Sequence, residues 1–277
     1  MNFKIVADSS ADMLTLDGAA FANAPLKINV GERVFVDDDA LNLKEMVDVL
    51  RAYKGRTSSA CPNPDEFLAA FGDADRVFCI TISSNLSGSC NAARLAAAQY
   101  EEEHPQRKVY IIDSLSAGAE LTMIAYKLAE MIAAGMEYEA ICVAITDYQA
   151  HTRTLFMLQS VHNLANNGRL NPAVAALVGM LGIRMVGKAS DHGTLELTSK
   201  ARGDKRALGE LVAHMKKEGY AGGLVRIHHC MNETGANMIR ELVLGAFPQA
   251  RIVIGKLRGL CSYYAESGGI IVGYEIA

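Results

Sequence analysis

The sequence predicts an α/β fold of two domains. Residues 1–150 read as an N-terminal parallel-sheet α/β/α domain, and residues 151–277 as a C-terminal α+β domain with a mixed or antiparallel sheet. Three observations predict this. Apolar runs at 3–7, 77–82 and 109–112 are each followed by a polar turn and a helical pattern, and that alternation means parallel strands covered by helices on both faces. Beyond residue 150 the strand patterns come closer together and one pair reads as a hairpin. No low-complexity linker separates the halves, so the domains are expected to pack together with a ligand cleft between them.

The elements follow in order. Residues 3–7 form a strand closed by Asp8-Ser9-Ser10. Residues 26–36 alternate around Gly31 and read as a small hairpin or edge strands. Asn42, with Glu45 three residues on, starts a helix reaching about Tyr53, whose Leu43, Met46, Val47 and Leu50 share one face. Residues 56–62 show no regular period and read as a polar loop. Asn63-Pro64-Asp65-Glu66 combines a cap, a proline at the first helical position and acids in the first turn, and the helix it starts ends near Phe71-Gly72. The run 77–82 is a buried strand stopped by Ser83-Ser84-Asn85-Leu86-Ser87-Gly88-Ser89, and an alanine-rich helix then reaches about Glu103. A strand at 109–112 closes at Asp113-Ser114, and helices take 119–134 and about 137–151.

In the second half, a strand at 155–158 precedes helical segments at about 160–166 and 172–182, separated by Asn166-Asn167-Gly168-Arg169-Leu170. Residues 184–189 and 194–200 read as a hairpin. A helix at 204–218, a strand at 223–229, a helix at 233–246 and strands at 251–257 and 270–276 complete the chain, with 259–269 read as a loop ending in a glycine turn. Ligands of parallel α/β sheets bind beyond the carboxyl ends of the strands, the edge shared by the turns at 8–10, 83–89 and 113–116.

Composition narrows the function. A net charge of -4 without a basic run argues against nucleic acid. The N-terminus reads as a strand start and not a signal peptide, and no apolar run approaches the ~20 residues of a membrane helix. Six scattered cysteines without a C-x-x-C pair fit reduced thiols in a cytoplasmic protein. The sequence contains no phosphate loop, dinucleotide fingerprint, nucleophile elbow or H-E-x-x-H motif. No metal or cofactor is expected.

Several stretches admit both a structural and a functional reading. The 83–89 turn holds four serines, one asparagine and a glycine. It is either a generous helix cap or an anion cradle at a helix N-terminus. Thr57 and Ser58 belong to an ordinary connector or to a second wall of the same site. Arg169 follows a glycine C-cap as a solvated residue, or it aims a guanidinium at a carboxylate or phosphate. Tyr263 and Tyr264 are partly buried rings with bonded hydroxyls or members of the site. These turns bring no general base to the hydroxyls, which favours binding over catalysis. The competing reading is a stand-alone phosphate- or acyl-handling enzyme that uses the same turn as an oxyanion or phosphate cradle.

Taken in order, these landmarks resemble the DegV family of bacterial fatty-acid-binding proteins over essentially the whole chain. Asp8-Ser9-Ser10-Ala11-Asp12 is similar to the family's D-S-[ST]-x-D, and Pro25-Leu26 with Asp38 to its P-L…D stretch. Thr57-Ser58 before Pro62 resembles its T-S-x-P loop with one extra residue, and 82–89 its S-S-x-L-S-G-[ST]. Asp113-Ser114, the 164–170 stretch (L-x-x-x-G-R-[IL]) and 183–202 follow in the family's order. The resemblance implies a long-chain fatty acid buried between two domains. It implies a carboxylate held by the hydroxyls of Thr57, Ser58 and Ser83 or Ser84 and by amides around Leu86 and Ser87. It also implies presentation to a separate fatty acid kinase, with Arg169 assisting. Aligning Ser267-Gly268-Gly269 places Tyr264 where the family commonly has a histidine, and a tyrosine donates one hydrogen bond but carries no positive charge near neutral pH. The expectation is a lipid-binding protein that is not itself an enzyme, without stable membrane insertion, with a homo-oligomer left open.

Overall fold

The computed structural model describes residues 2–170 and 182–277. Strands β1 (Phe3–Asp8), β2 (Phe21–Ala24), β6 (Arg76–Thr81) and β7 (Lys108–Asp113) form a four-stranded sheet in the order β2-β1-β6-β7, parallel throughout. Val77, Phe78, Cys79 and Ile80 of β6 are all fully buried. Their unbroken apolar run is the mark of a strand covered on both faces. On one face lie α2 (Pro64–Phe71) and α3 (Ser89–Glu103), contributing Phe67, Phe71, Ala93 and Ala96. On the other lie α4 (Ala119–Ala133) and α5 (Tyr138–Ala150), contributing Leu121, Ile124, Leu128 and Ile141. The α2 start is as predicted: Asn63 and Glu66 form a reciprocal capping box with Pro64 inside the first turn.

The second sheet has six strands in the order β10-β9-β8-β13-β11-β12. They are β8 (Thr152–Leu158), β9 (Ile183–Ala189), β10 (Leu195–Arg202), β11 (Leu224–His229), β12 (Arg251–Lys256) and β13 (Ile270–Glu275). Only the β11–β12 pair is parallel, so the sheet is mixed. Helices equivalent to the predicted 204–218 and 233–246, here α7 (Asp204–Lys217) and α8 (Glu233–Ala246), cover one face through Leu208, Leu211 and Ile239. The other face meets the N-terminal half. A Cβ at Gly273 would lie 2.9 Å from the Glu120 amide nitrogen, so glycine there lets the start of α4 sit against the sheet. Gly187 likewise leaves room for the Phe156 ring, onto which a Cβ would fall.

The reading of 56–62 as loop is corrected. Thr57–Ala60 is strand β5, paired antiparallel with β3 (Lys27–Val30), which also pairs with β4 (Arg33–Val36). Only four residues long and hydroxyl-rich, β5 lacked the apolar alternation that marks a strand, and its partner supplies the order. The reading of 259–269 as loop is also corrected, because Gly259–Ala265 is a short helix, α9. That helix has no side-chain cap of its own. Asp37 caps it from the N-terminal half, accepting from the Gly259 amide at 2.9 Å and the Leu260 amide at 2.8 Å. Asp12 accepts from the Arg258 amide at 2.7 Å. Helices α1 (Leu43–Ala52) and α6 (His162–Asn166) and a 3-10 turn at Ser9–Ala11 complete the described elements. The helix read at 172–182 lies, except for its last residue, outside the described residues.

Candidate ligand-binding site

A largely apolar cavity lies between the two halves. It is walled mainly by apolar side chains with a few polar groups among them, the usual make-up of a small-molecule site. Leu26, Ile82 and Leu86 come from the N-terminal half, and Phe156, Leu158 and Leu164 from the C-terminal half. Strand alternation places Thr154, Phe156 and Leu158 of β8 on this one face. Ser59, Ser87, Arg169 and Tyr264 bring the main polar groups to the lining. Ser59 Oγ and Tyr264 Oη are 2.7 Å apart, and the Arg169 guanidinium carbon lies 5.9 Å from the Tyr264 ring centre. Arg169 Nε donates to the Leu86 carbonyl at 3.2 Å, and its Nη1 donates to the Asn167 carbonyl. These bonds fix the guanidinium at the cavity wall.

Of the eight residues expected in the site, Leu86, Ser87, Arg169 and Tyr264 line this cavity. Thr57 does not line it. Its hydroxyl bonds Tyr263 Oη at 2.8 Å and borders a second cleft with Tyr263 and Asn163. Tyr263 Oη also accepts from Asn167 Nδ2 at 2.9 Å, and Asn163 Nδ2 donates to the Tyr263 carbonyl at 2.8 Å. Burial pushes the Tyr263 phenol above its ordinary value, ahead of the opposing hydrogen bond from Thr57. Ser58 points to the other side of β5, as alternation requires, and accepts from Asn29 Nδ2 at 3.3 Å. Ser59, on the same side as Thr57, is the β5 hydroxyl at the cavity, and the sequence reading passed over it. Counting the T-S-x-P spacing back from Pro62 instead of forward from Thr57 lands on Ser59.

The 83–89 turn is also differently engaged from the expected cradle. The Leu86 and Ser87 amides both donate to the Ser83 carbonyl, at 3.0 and 3.1 Å. The Ser84 amide donates to Asp113 at 3.1 Å, and the Ser84 side chain is exposed. Ser83 is buried and donates its hydroxyl to the Gly193 carbonyl at 2.7 Å. Gly193 has φ +72, and a Cβ there would strike Ser83 Oγ. The turn therefore docks on the tip of the β9–β10 hairpin and ties the two halves together, with Asn85 Nδ2 donating to the His192 carbonyl at 2.6 Å. Ser89 Oγ donates to Asp8 at 2.6 Å. Asp8 also accepts from Ser10 and from the Ile82 amide, and burial holds its carboxyl above the usual range.

Cys261 also lines the cavity, and burial, followed by the nearby Asp12 and Asp37 charges, drives its thiol well up. A thiol in that state is not an activated nucleophile. Among the described residues no group of three or more His, Cys, Asp or Glu side chains is arranged to hold a metal ion, and no helix is long and apolar enough to cross a membrane.

A family model described as "Uncharacterised protein, DegV family" matches residues 2–276. DegV domain-containing proteins of Streptococcus gordonii and Streptococcus pneumoniae are each 45% identical over 280 residues, covering 100% of both chains. Among solved structures, a DegV family protein of Eubacterium eligens loaded with heptadecanoic acid is 44% identical with a TM-score of 0.97, covering 99% of this chain and 100% of that one. The Streptococcus pneumoniae Fatty Acid Kinase (Fak) B3 protein loaded with linoleic acid is 44% identical with a TM-score of 0.98, covering 100% of both chains. A DegV family protein of Ruminococcus gnavus with vaccenic acid is 29% identical with a TM-score of 0.90, covering 98% of this chain and 99% of that one. With one family model spanning the chain and full-length relatives at this identity, the chain belongs to the DegV family.

Proposed function

We propose that this protein binds a long-chain fatty acid in the cavity between its two sheets and presents the carboxylate to a separate fatty acid kinase. The observation that carries the reading is the polarity of the cavity: an apolar lining with Ser59, Ser87, Arg169 and Tyr264 gathered beside the turn 83–87. Each buried methylene contributes roughly 0.8 kcal/mol, so the lining supplies affinity. The carboxylate needs hydrogen bonds and a compensating charge, which the hydroxyls and Arg169 supply. Tyr264 acts as a neutral hydrogen-bond donor, and the positive charge comes from Arg169. Thr57, through Tyr263, positions the head-group helix from behind, and Ser83 holds the turn onto the hairpin. The division of the chain near residue 150 belongs to this reading, with one unit supplying β5 and the 83–87 turn, and the other Arg169, Tyr264 and most of the acyl wall.

The fatty acids held by the E. eligens and S. pneumoniae structures support this assignment. The test is native mass spectrometry of protein purified without added lipid, followed by titration with heptadecanoic and linoleic acids. An acyl ligand that co-purifies or binds supports the proposal, and failure of both overturns it. Adding a bacterial fatty acid kinase and ATP tests presentation: acyl phosphate is expected with both proteins and none with this chain alone.

A further inference from the structure

Four residues before Leu158 on β8, the cavity reaches Thr154, roughly 13 Å back along the strand at ~3.3 Å per residue. Leu158 lies one step beyond the Met157–Ile270 pair, beside Gly269, where a Cβ would strike the carbonyl of Ala265, the residue after Tyr264, so Thr154 lies toward the end away from the tyrosine. Beside it on β9 is Ala189, one step beyond the last paired residues Leu155 and Lys188. Ala189 pairs in turn with Leu195 of β10. Thr154, Ala189 and Leu195 thus form a row across three strands, and all three line the acyl cavity.

Thr154 and Ala189 also line a different cavity on the outer side, whose other walls include Asp113, Glu120, Arg153 and Asp191. That outer cavity has charged residues in its walls and opens to solvent. These two residues therefore separate an apolar chamber from a charged one. The partition is held in place: Thr154 Oγ1 donates to Glu120 Oε2 at 2.7 Å and accepts from Ser116 Oγ at 2.8 Å. Thr152 Oγ1 donates to Glu120 Oε1 at 2.6 Å. Glu120 lies in the first turn of α4, where the helix dipole favours its charge, and the same turn rests on Gly273, the residue paired with Thr154.

We infer that Thr154 and Ala189 form the end wall of the acyl cavity and set the longest fatty acid the protein accepts. This rests on the fatty-acid reading above. A chain that ends before the wall gains about fourfold in affinity for each added methylene. A chain that passes it must push its terminal methyl against a pinned side chain or into the charged outer cavity, so the rise ends in a sharp cut-off. Neither residue carries a recognisable binding motif, because the wall arises only when β8 and β9 pair.

The test measures binding of a homologous series of saturated fatty acids to the wild type, Ala189→Leu and Ala189→Gly, with thermal unfolding to confirm that each folds. The wild type is expected to show a cut-off. Ala189→Leu should move it to shorter acids and weaken the longest acid accepted by the wild type by about tenfold. Ala189→Gly should move it to longer acids, and it decides the matter alone if the leucine variant does not fold. A wild type that binds with an unchanged ranking in the folded variants overturns the end-wall assignment and leaves fatty-acid binding standing. A wild type that binds no acid in the series overturns the fatty-acid reading and the wall with it.

Discussion

Tyr263 and Tyr264 are neighbours on one short helix, and each meets a hydroxyl of the same strand. Tyr263 pairs with Thr57 and Tyr264 with Ser59. Their surroundings then diverge. Tyr263 is fully buried, and Thr57 and Asn167 occupy its hydroxyl on two sides. Tyr264 is half-buried, lines the apolar cavity, and among the described residues its hydroxyl bonds Ser59 alone. The first pair is a bolt between the halves of the molecule, and the second keeps hydrogen-bonding capacity for a ligand. A saturated buried network holds structure because breaking it strands its partners, whereas a hydroxyl with spare capacity can exchange partners with a ligand.

Both tyrosines depend on the clamp that Asp37 places on the start of α9, so the largest effect comes from removing it. Asp37→Ala leaves the Gly259 and Leu260 amides without their acceptor and is expected to lower stability by about 3 kcal/mol. Urea unfolding measures this, and fatty-acid affinity should fall as well because Tyr264 rides on the same helix. Unchanged stability would remove the clamp from the argument. Tyr263→Phe is next: it removes one hydrogen-bond partner from each of Thr57 and Asn167, costs about 1–3 kcal/mol of stability, and leaves linoleic acid affinity within about twofold. Tyr264→Phe reverses the pattern, with stability changing by less than about 1 kcal/mol and affinity falling about tenfold. Equal stability losses in the two tyrosine variants would erase the distinction between bolt and open hydroxyl.

The clamp also carries a pH dependence. Burial, ahead of all other influences, raises the Asp37 carboxyl from 3.8 to about 6. The folded protein then keeps this proton to a higher pH than the unfolded chain does. The Asp37 contribution to stability therefore falls as pH rises from 3.8 to about 6 and is level above that. The stability difference between wild type and Asp37→Asn should narrow across this window in chemical denaturation at a series of pH values, and a gap that widens contradicts the assignment.

Much of the architecture is legible in the chain. The run 77–82 needs no partner to declare itself a doubly covered strand, and Asn63-Pro64-Asp65-Glu66 builds its own cap. Both signals are local, and local signals survive in a one-dimensional reading. The order of landmarks from Asp8 to Arg169 likewise carries the family, and the parallel sheet, mixed sheet and cleft follow from it. Leu86, Ser87, Arg169 and Tyr264 were also named from sequence, and the fold brings them to one cavity.

The missed features share a different cause. Ser59 gained its place from β5, a four-residue strand ordered only by pairing with β3, and alternation then turned Ser58 away. Helix α9 forms where its own sequence offers no cap, because Asp12 and Asp37 supply acceptors from more than two hundred residues away. The amides of the 83–87 turn looked available until folding brought Asp113 beside them and closed the turn on Ser83. By itself, then, the sequence determined the class of fold, the family and most of the residues that gather at the cavity, since these rest on periodicity and on motif order. Tertiary structure alone decided which hydroxyls face the ligand and which face each other, because a hydrogen bond's partner depends on distance across the fold and not on position along the chain.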